Sequence, residues 1–110
     1  MRAARVDANQ SEIVAALRKA GVFVQILSAV GEGVPDLLTA YNGLWSLLEV
    51  KDSAKSPSAQ KLTSVQITWH ATAKQYAPVY VVNNVEQAMI AVMDSRMNAL
   101  AANYKRSDAA

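Results

Sequence analysis

Val34-Pro35-Asp36-Leu37-Leu38-Thr39-Ala40-Tyr41-Asn42-Gly43-Leu44-Trp45-Ser46-Leu47-Leu48-Glu49-Val50-Lys51 is the stretch that decides the fold of this chain. Two apolar, β-prone runs, 37–41 and 44–50, flank Asn42-Gly43. Asn-Gly is the strongest short signal for a two-residue type I′ hairpin, because both central residues take φ > 0. With that turn Tyr41 opposes Leu44, and by the same register Asp36 opposes Glu49. Directly opposed side chains on an antiparallel pair have Cβ atoms roughly 4.5–5.5 Å apart. Two carboxylates at that distance repel unless something positive lies between them, and a hard divalent cation takes oxygen ligands of this kind. Lys51, two residues beyond Glu49, points to the same face. One reading is a metal site with a lysine beside it. The other is a solvated acid pair at a strand edge, with Lys51 as the strand's last, solvent-facing residue.

The rest of the chain arranges itself around this hairpin. Asn9 reads as an N-cap with Glu12 at N3. Ile13, Ala16, Leu17 and Ala20 give that helix its apolar face, and Gly21 ends it. The β-branched run at 22–28 predicts a first strand, and Gly31 and Gly33 turn the chain into the hairpin. Pro35 donates no ladder hydrogen bond, so pairing is expected to break beside Asp36. Residues 52–61 are polar and turn-rich and predict a mobile loop. Thr63 and Gln66 form a second capping pair, opening a helix expected to run to about Gln75. The apolar run 78–82 suits a buried last strand. Asn84 with Gln87 caps a final helix reaching towards Tyr104. The order is α-β-β-β-α-β-α. A helical crossover before the last strand implies a mixed sheet with helices on both faces.

Composition bounds the function. The 110 residues are 52% hydrophobic and 18% charged, which fits one globular domain rather than a disordered chain. Within it we expect a loose arm at 1–8, a core at 9–93 and a helical extension at 94–110. There is no cysteine, so a metal must be held by oxygen or histidine. One histidine and no cysteine exclude zinc-finger ligation and a thiol nucleophile. The lack of disulfides fits a cytoplasmic protein. No apolar run approaches the ~20 residues of a membrane span, and Arg2 and Arg5 precede no apolar stretch of a secretory signal. Gly31-Glu32-Gly33 lacks the strand–helix context and the lysine of a nucleotide loop, and no serine-centred elbow is present. Net charge is only +2, yet between Lys51 and Lys74 there are four lysines and one acid, Asp52. A basic strip beside an acidic metal site suits a phosphate backbone; the bland alternative is a solvated, lysine-rich loop.

Pro35-Asp36 followed by Glu49-Val50-Lys51 resembles the motif of the PD-(D/E)xK nuclease superfamily. The resemblance extends to Glu12 on a preceding helix, to Gly31-x-Gly33-x-Pro35-Asp36, and to Leu62-Thr63-x-x-Gln66-x-x-Trp69-His70 on a following helix. Together these resemble the VRR-Nuc and phage Holliday-junction-resolvase-like branch, over roughly residues 9–93. The resemblance implies a restriction-endonuclease-like core, α-β-β-β-α-β, with a C-terminal helix. It implies Mg²⁺ or Mn²⁺ held by Asp36, Glu49 and the main-chain carbonyl of Val50, with Lys51 orienting or deprotonating the attacking water. It also implies that Glu12 joins the metal site and that Gln66 faces the metal or the scissile phosphate. Each has a plain alternative, since Glu12 and Gln66 both sit where a capping residue belongs. Lys55, Ser56, Ser58, Lys61, His70 and Lys74 are candidate DNA contacts, with packing or a surface position as the alternative for His70. Trp45 reads as core rather than as a platform for bases.

The expected activity is metal-dependent hydrolysis of DNA, on branched, flapped or Holliday-junction substrates in phage-type replication, recombination or packaging. A phage-encoded enzyme of this kind would work in the bacterial host cytoplasm, without a membrane partner. The alternatives are a nickase or nuclease subunit without structure preference and a non-catalytic DNA-binding protein on the same fold. A helix from Val85 to about Tyr104 would be roughly 30 Å long, against a radius of gyration of about 13 Å for a domain this size. Val85, Ala88, Met89 and Val92 can pack on the sheet. Met93, Met97, Leu100 and Tyr104 continue the stripe and predict a homodimer, unless the helix bends back or frays near Asn98.

Overall fold

A computed structural model describes residues 8–94. Its elements are α1 (Ala8–Lys19), β1 (Phe23–Ile26), β2 (Leu37–Tyr41), β3 (Leu44–Val50), α2 (Pro57–Gln60), α3 (Ser64–Ala73) and β4 (Val79–Val82). A further helix, α4, is described over residues 85–94. The expected arm contributes Ala8 to α1; the rest of it, and Met97, Leu100 and Tyr104 of the expected dimer stripe, lie outside the described residues.

The hairpin forms as its turn residues dictate. Asn42 and Gly43 take φ of 52° and 82°, and the register runs from Tyr41↔Leu44 to Leu37↔Leu48. Pairing stops at Leu37, after Pro35 and Asp36. β1 joins β2 antiparallel, while β4 runs parallel to β3, completing a four-stranded mixed sheet in the order β1-β2-β3-β4. That parallel pair requires a crossover, which α3 supplies. β1 is shorter than the expected 22–28 run, because the chain leaves the sheet after Ile26 to make the glycine turn.

Alternation along β2 and β3 separates two faces. Leu37 and Leu48 face α1 and α4, forming a core with Val24, Val50, Val82, Ile13, Val14, Leu17, Ala88, Ala91 and Val92. Thr39 and Ser46, opposed in the register, are buried there and satisfy each other with hydroxyls 2.6 Å apart. Glu49 and Leu47 point to the opposite face, where α3 lies. α1 ends as expected at Gly21, whose φ is 89°. Bonds from Gly21 N to Arg18 O and from Val22 N to Leu17 O (3.1 and 3.0 Å) close the last turn as a Schellman motif.

Three local expectations are corrected. Asn9 is not an N-cap: it lies inside α1, and its Nδ2 donates to the carbonyls of Lys51 (3.2 Å) and Asn83 (3.1 Å). Those carbonyls follow the adjacent ends of β3 and β4, where ladder partners run out. The loop after Lys51 contains the single turn α2, with Pro57 at its start and Gln60 Nε2 donating to the Lys55 carbonyl at 2.7 Å. Trp45 shares the Glu49 face but is not core: it is 54% exposed and packs edge-to-face with Phe23, ring centroids 5.9 Å apart.

Candidate active site

Asp36 and Glu49 come together at the end of the hairpin remote from its turn. Beyond Leu37↔Leu48 the ladder is replaced by a side-chain bond: Val50 N–H donates to Asp36 Oδ2 at 2.8 Å. The Asp36 carbonyl is used as well, accepting from Leu27 N at 2.7 Å. Pro35, which ended the ladder, is fully buried. Asp36 is therefore held by both its backbone and one carboxylate oxygen. Its other oxygen, Oδ1, lies 3.4 Å from the Ser28 hydroxyl, which accepts from Gln10 Nε2 at 3.0 Å.

Glu49 is 3% exposed. Burial raises its pKa from 4.5 to about 8, reinforced by the neighbouring Asp36 charge and opposed by Lys51. Lys51 Nζ lies 3.8 Å from Glu49 Oε2 and donates to Gln66 Oε1 at 3.2 Å. Gln66 Nε2 in turn donates to Glu49 Oε2 at 3.3 Å. Gln66 also completes the capping box of α3: its Oε1 accepts from Thr63 N, and its own N–H donates to Thr63 Oγ1. The capping reading of Gln66 holds, and the side chain has further contacts besides. One amide starts the helix and ties the lysine to the acid.

α1 contributes a different residue from the one expected. Glu12 is exposed and takes no part in this network, whereas Gln10 is 5% exposed and reaches Asp36 through Ser28. Two positions along an α-helix rotate a side chain by about 200°, so Gln10 and Glu12 face opposite ways. The family resemblance is what pointed to Glu12; Gln10 and Ser28 carry no local signal, since the link forms only when α1 packs on β1.

His70 is corrected too. It is buried at 3% exposure rather than lying on a phosphate-facing surface. One helical turn beyond Gln66, it turns to the sheet, and its Nε2 stops 3.7 Å from Glu49 Oε1. Among the described residues neither of those two atoms has a hydrogen-bond partner. Burial, Lys74 and Lys51 lower the pKa of His70, while Asp36 raises it. Lys55, Ser56, Ser58, Lys61 and Lys74 are all exposed, Lys74 at the C-terminal cap of α3 and the others beside or within α2. An apolar groove of about 800 Å³ lies against α3, lined by Leu47, Val65, Trp69 and Tyr76 with Glu32 as its one carboxylate. It does not include Asp36, Glu49 or Lys51.

The donor set fits a hard divalent cation. Two carboxylates meet where burial resists both being charged, and a Glu49 oxygen is left without a partner. Among the described residues no three His, Cys, Asp or Glu side chains converge as a ligand set.

A mixed four-stranded sheet between helices, carrying Pro35-Asp36 and Glu49-Val50-Lys51 at one end, is the restriction-endonuclease-like fold of the PD-(D/E)xK superfamily. A solved structure described as a VRR_NUC domain is similar to this chain with a TM-score of 0.54 and 30% identity, over 72% of this chain and 84% of that one. On that likeness the chain belongs to the VRR-Nuc family. No family model matches the sequence, and no curated protein does.

Proposed function

We propose that this protein is a divalent-metal-dependent endonuclease that hydrolyses phosphodiester bonds in DNA, with branched, flapped or junction DNA as its preferred substrate. The observation that carries the reading is the convergence of Asp36, Glu49, Lys51 and Gln66 at one end of the sheet. Asp36, Glu49 and the Val50 carbonyl would hold Mg²⁺ or Mn²⁺, which when bound polarises a phosphate oxygen and lowers the pKa of water. The chain's own residues do the rest. Lys51, tethered by Gln66, places an ammonium beside the acids, where the phosphate gains negative charge in the transition state. Because that ammonium is already oriented, little reorganisation is needed during reaction. Val50 N–H fixes Asp36, and Gln66 fixes Glu49 and Lys51 relative to each other. The lysines between Lys51 and Lys74 would draw in the DNA backbone.

The test is cleavage of a supercoiled plasmid, a four-way junction and a flap, each with Mg²⁺, with Mn²⁺ and with chelator. Asp36→Ala and Glu49→Ala should abolish cutting, and Lys51→Ala should lower kcat by about 10²–10³-fold while DNA is still retained. An Asp36→Ala protein that cuts at the wild-type rate would refute the site. Binding without cutting under either metal would make the protein a DNA-binding module on a nuclease fold. Nicking of every substrate alike would remove the junction preference.

A further inference from the structure

Glu49 Oε1 and His70 Nε2 are two buried polar atoms that face each other with no other partner among the described residues. A buried donor or acceptor left unpaired is costly, and a side chain that served only to fill this space would do so better as phenylalanine or leucine. Their separation, 3.7 Å, is too long for a direct hydrogen bond. It is closed by a movement of about 1 Å. Gln66 and His70 stand at i and i+4 on α3 and so share a helix face. They address different oxygens of the same carboxylate, Gln66 at Oε2 and His70 at Oε1. Trp69 lies edge-on to the imidazole, with ring centroids 6.4 Å apart.

We propose that His70 is a positioning residue for Glu49: its Nε2–H, donated to Oε1, holds the carboxylate in the orientation that presents it to the cation. Each carboxylate oxygen has two lone-pair directions, so a hydrogen bond at Oε1 leaves room for ligation. Carboxylates that ligate metals are themselves hydrogen-bonded, and loss of such a partner typically weakens metal affinity 10–100-fold. α3 then acts as a two-pronged clamp on Glu49, with its capping box fixing the height of both prongs.

This inference rests on the metal-dependent reading above, and the experiment separates the two. Mn²⁺ is titrated into the full chain and followed by calorimetry and by the electron paramagnetic resonance of the free ion. The proteins are wild type, Asp36→Ala, His70→Ala, His70→Phe and His70→Gln, with folding checked by circular dichroism. Wild type should bind and Asp36→Ala should not. His70→Ala and His70→Phe should bind about 10–100-fold more weakly, whereas His70→Gln, which supplies an N–H donor, should recover most of the affinity. Cleavage should follow in kcat at a fixed metal concentration near the wild-type Kd, with KM for DNA unchanged. Phenylalanine matching wild type, or glutamine as weak as alanine, would show that the side chain only packs and would overturn the inference. If wild type itself binds no Mn²⁺, the metal-dependent reading falls and takes this with it. If only the His70 variants behave as wild type, the assignment of His70 falls alone.

Discussion

A carboxylic acid that is 3% exposed and has a second carboxylate beside it resists ionisation. For Glu49 the ordinary value of 4.5 rises to about 8 on folding. Between those values the metal-free folded protein keeps a proton that the unfolded chain has released. Stability therefore falls as pH rises through that window, with the full contribution below the lower value and none above the upper. Thermal melts in chelator should show wild type losing stability relative to Glu49→Gln from about pH 5 to about pH 9. If the ionised acids hold Mn²⁺ as proposed, saturating Mn²⁺ should flatten or reverse that trend. Parallel pH profiles for the two chelated proteins would contradict the raised Glu49. At this scale the sequence was most legible where a motif coincided with a register. Asp36, Glu49 and Lys51 could be placed because an Asn-Gly turn sets which residues oppose which. Gln10, Ser28 and the buried position of His70 could not, because each depends on which side of a helix meets the sheet.

α3 is started by a polar contact of its own residues and packed by a steric one. The polar one is the Thr63–Gln66 capping box, readable from spacing alone. The steric one is Gly33, where an added Cβ would fall 2.6 Å from the Val65 carbonyl oxygen and where φ is already 84°. The glycine turn thus presses directly on the first turn of the helix that carries Gln66 and His70. Gly31 has a comparable φ of 74° but nothing within 4 Å of an added Cβ. Gly33→Ala should cost about 1–3 kcal/mol, combining the φ penalty with overpacking. Gly31→Ala should cost less, on the order of 1 kcal/mol. Urea midpoints measure both, and cleavage assays should show Gly33→Ala losing activity at temperatures where it is still folded. Equal costs for the two would mean that the loop yields without moving α3. The sequence marked both glycines as turn residues, but which one touches a helix depends on tertiary packing.

Across the whole molecule Glu49 and Lys51 of the acid site and the exposed Lys55, Lys61 and Lys74 follow one another along one stretch of chain, from the end of β3 through α2 to the end of α3. If Lys55, Lys61 and Lys74 each neutralise a phosphate, DNA affinity should fall linearly with log salt. Each alanine replacement should reduce the magnitude of that slope by roughly 0.9 on duplex DNA. Fluorescence anisotropy from low to moderate salt, with chelator present to prevent cutting, measures it; slopes unchanged in all three variants would place the DNA elsewhere. The acid site should contribute little to that slope. Among the described residues no helix is long and apolar enough to cross a membrane.

What the sequence determined by itself was local and periodic. The Asn42-Gly43 turn, the alternation of β2 and β3, the Gly21 stop and the Thr63–Gln66 cap each depend on residues only a few positions apart, whose φ preferences and hydrogen bonds act in any context. The mixed sheet followed from one further rule, that a strand reached through a helix lies parallel to its neighbour. Tertiary structure alone decided what distant side chains do to one another. It placed Asn9 on the carbonyls of Lys51 and Asn83 rather than at a helix start, and Gln10 rather than Glu12 behind Asp36. It left Trp45 half exposed, because α3 covers the sheet at Glu49 and Leu47 but not at the turn end. It also set His70 against Glu49. Those outcomes turn on the rotation of each helix about its axis as it docks, which a handful of apolar contacts settles and no short spacing encodes.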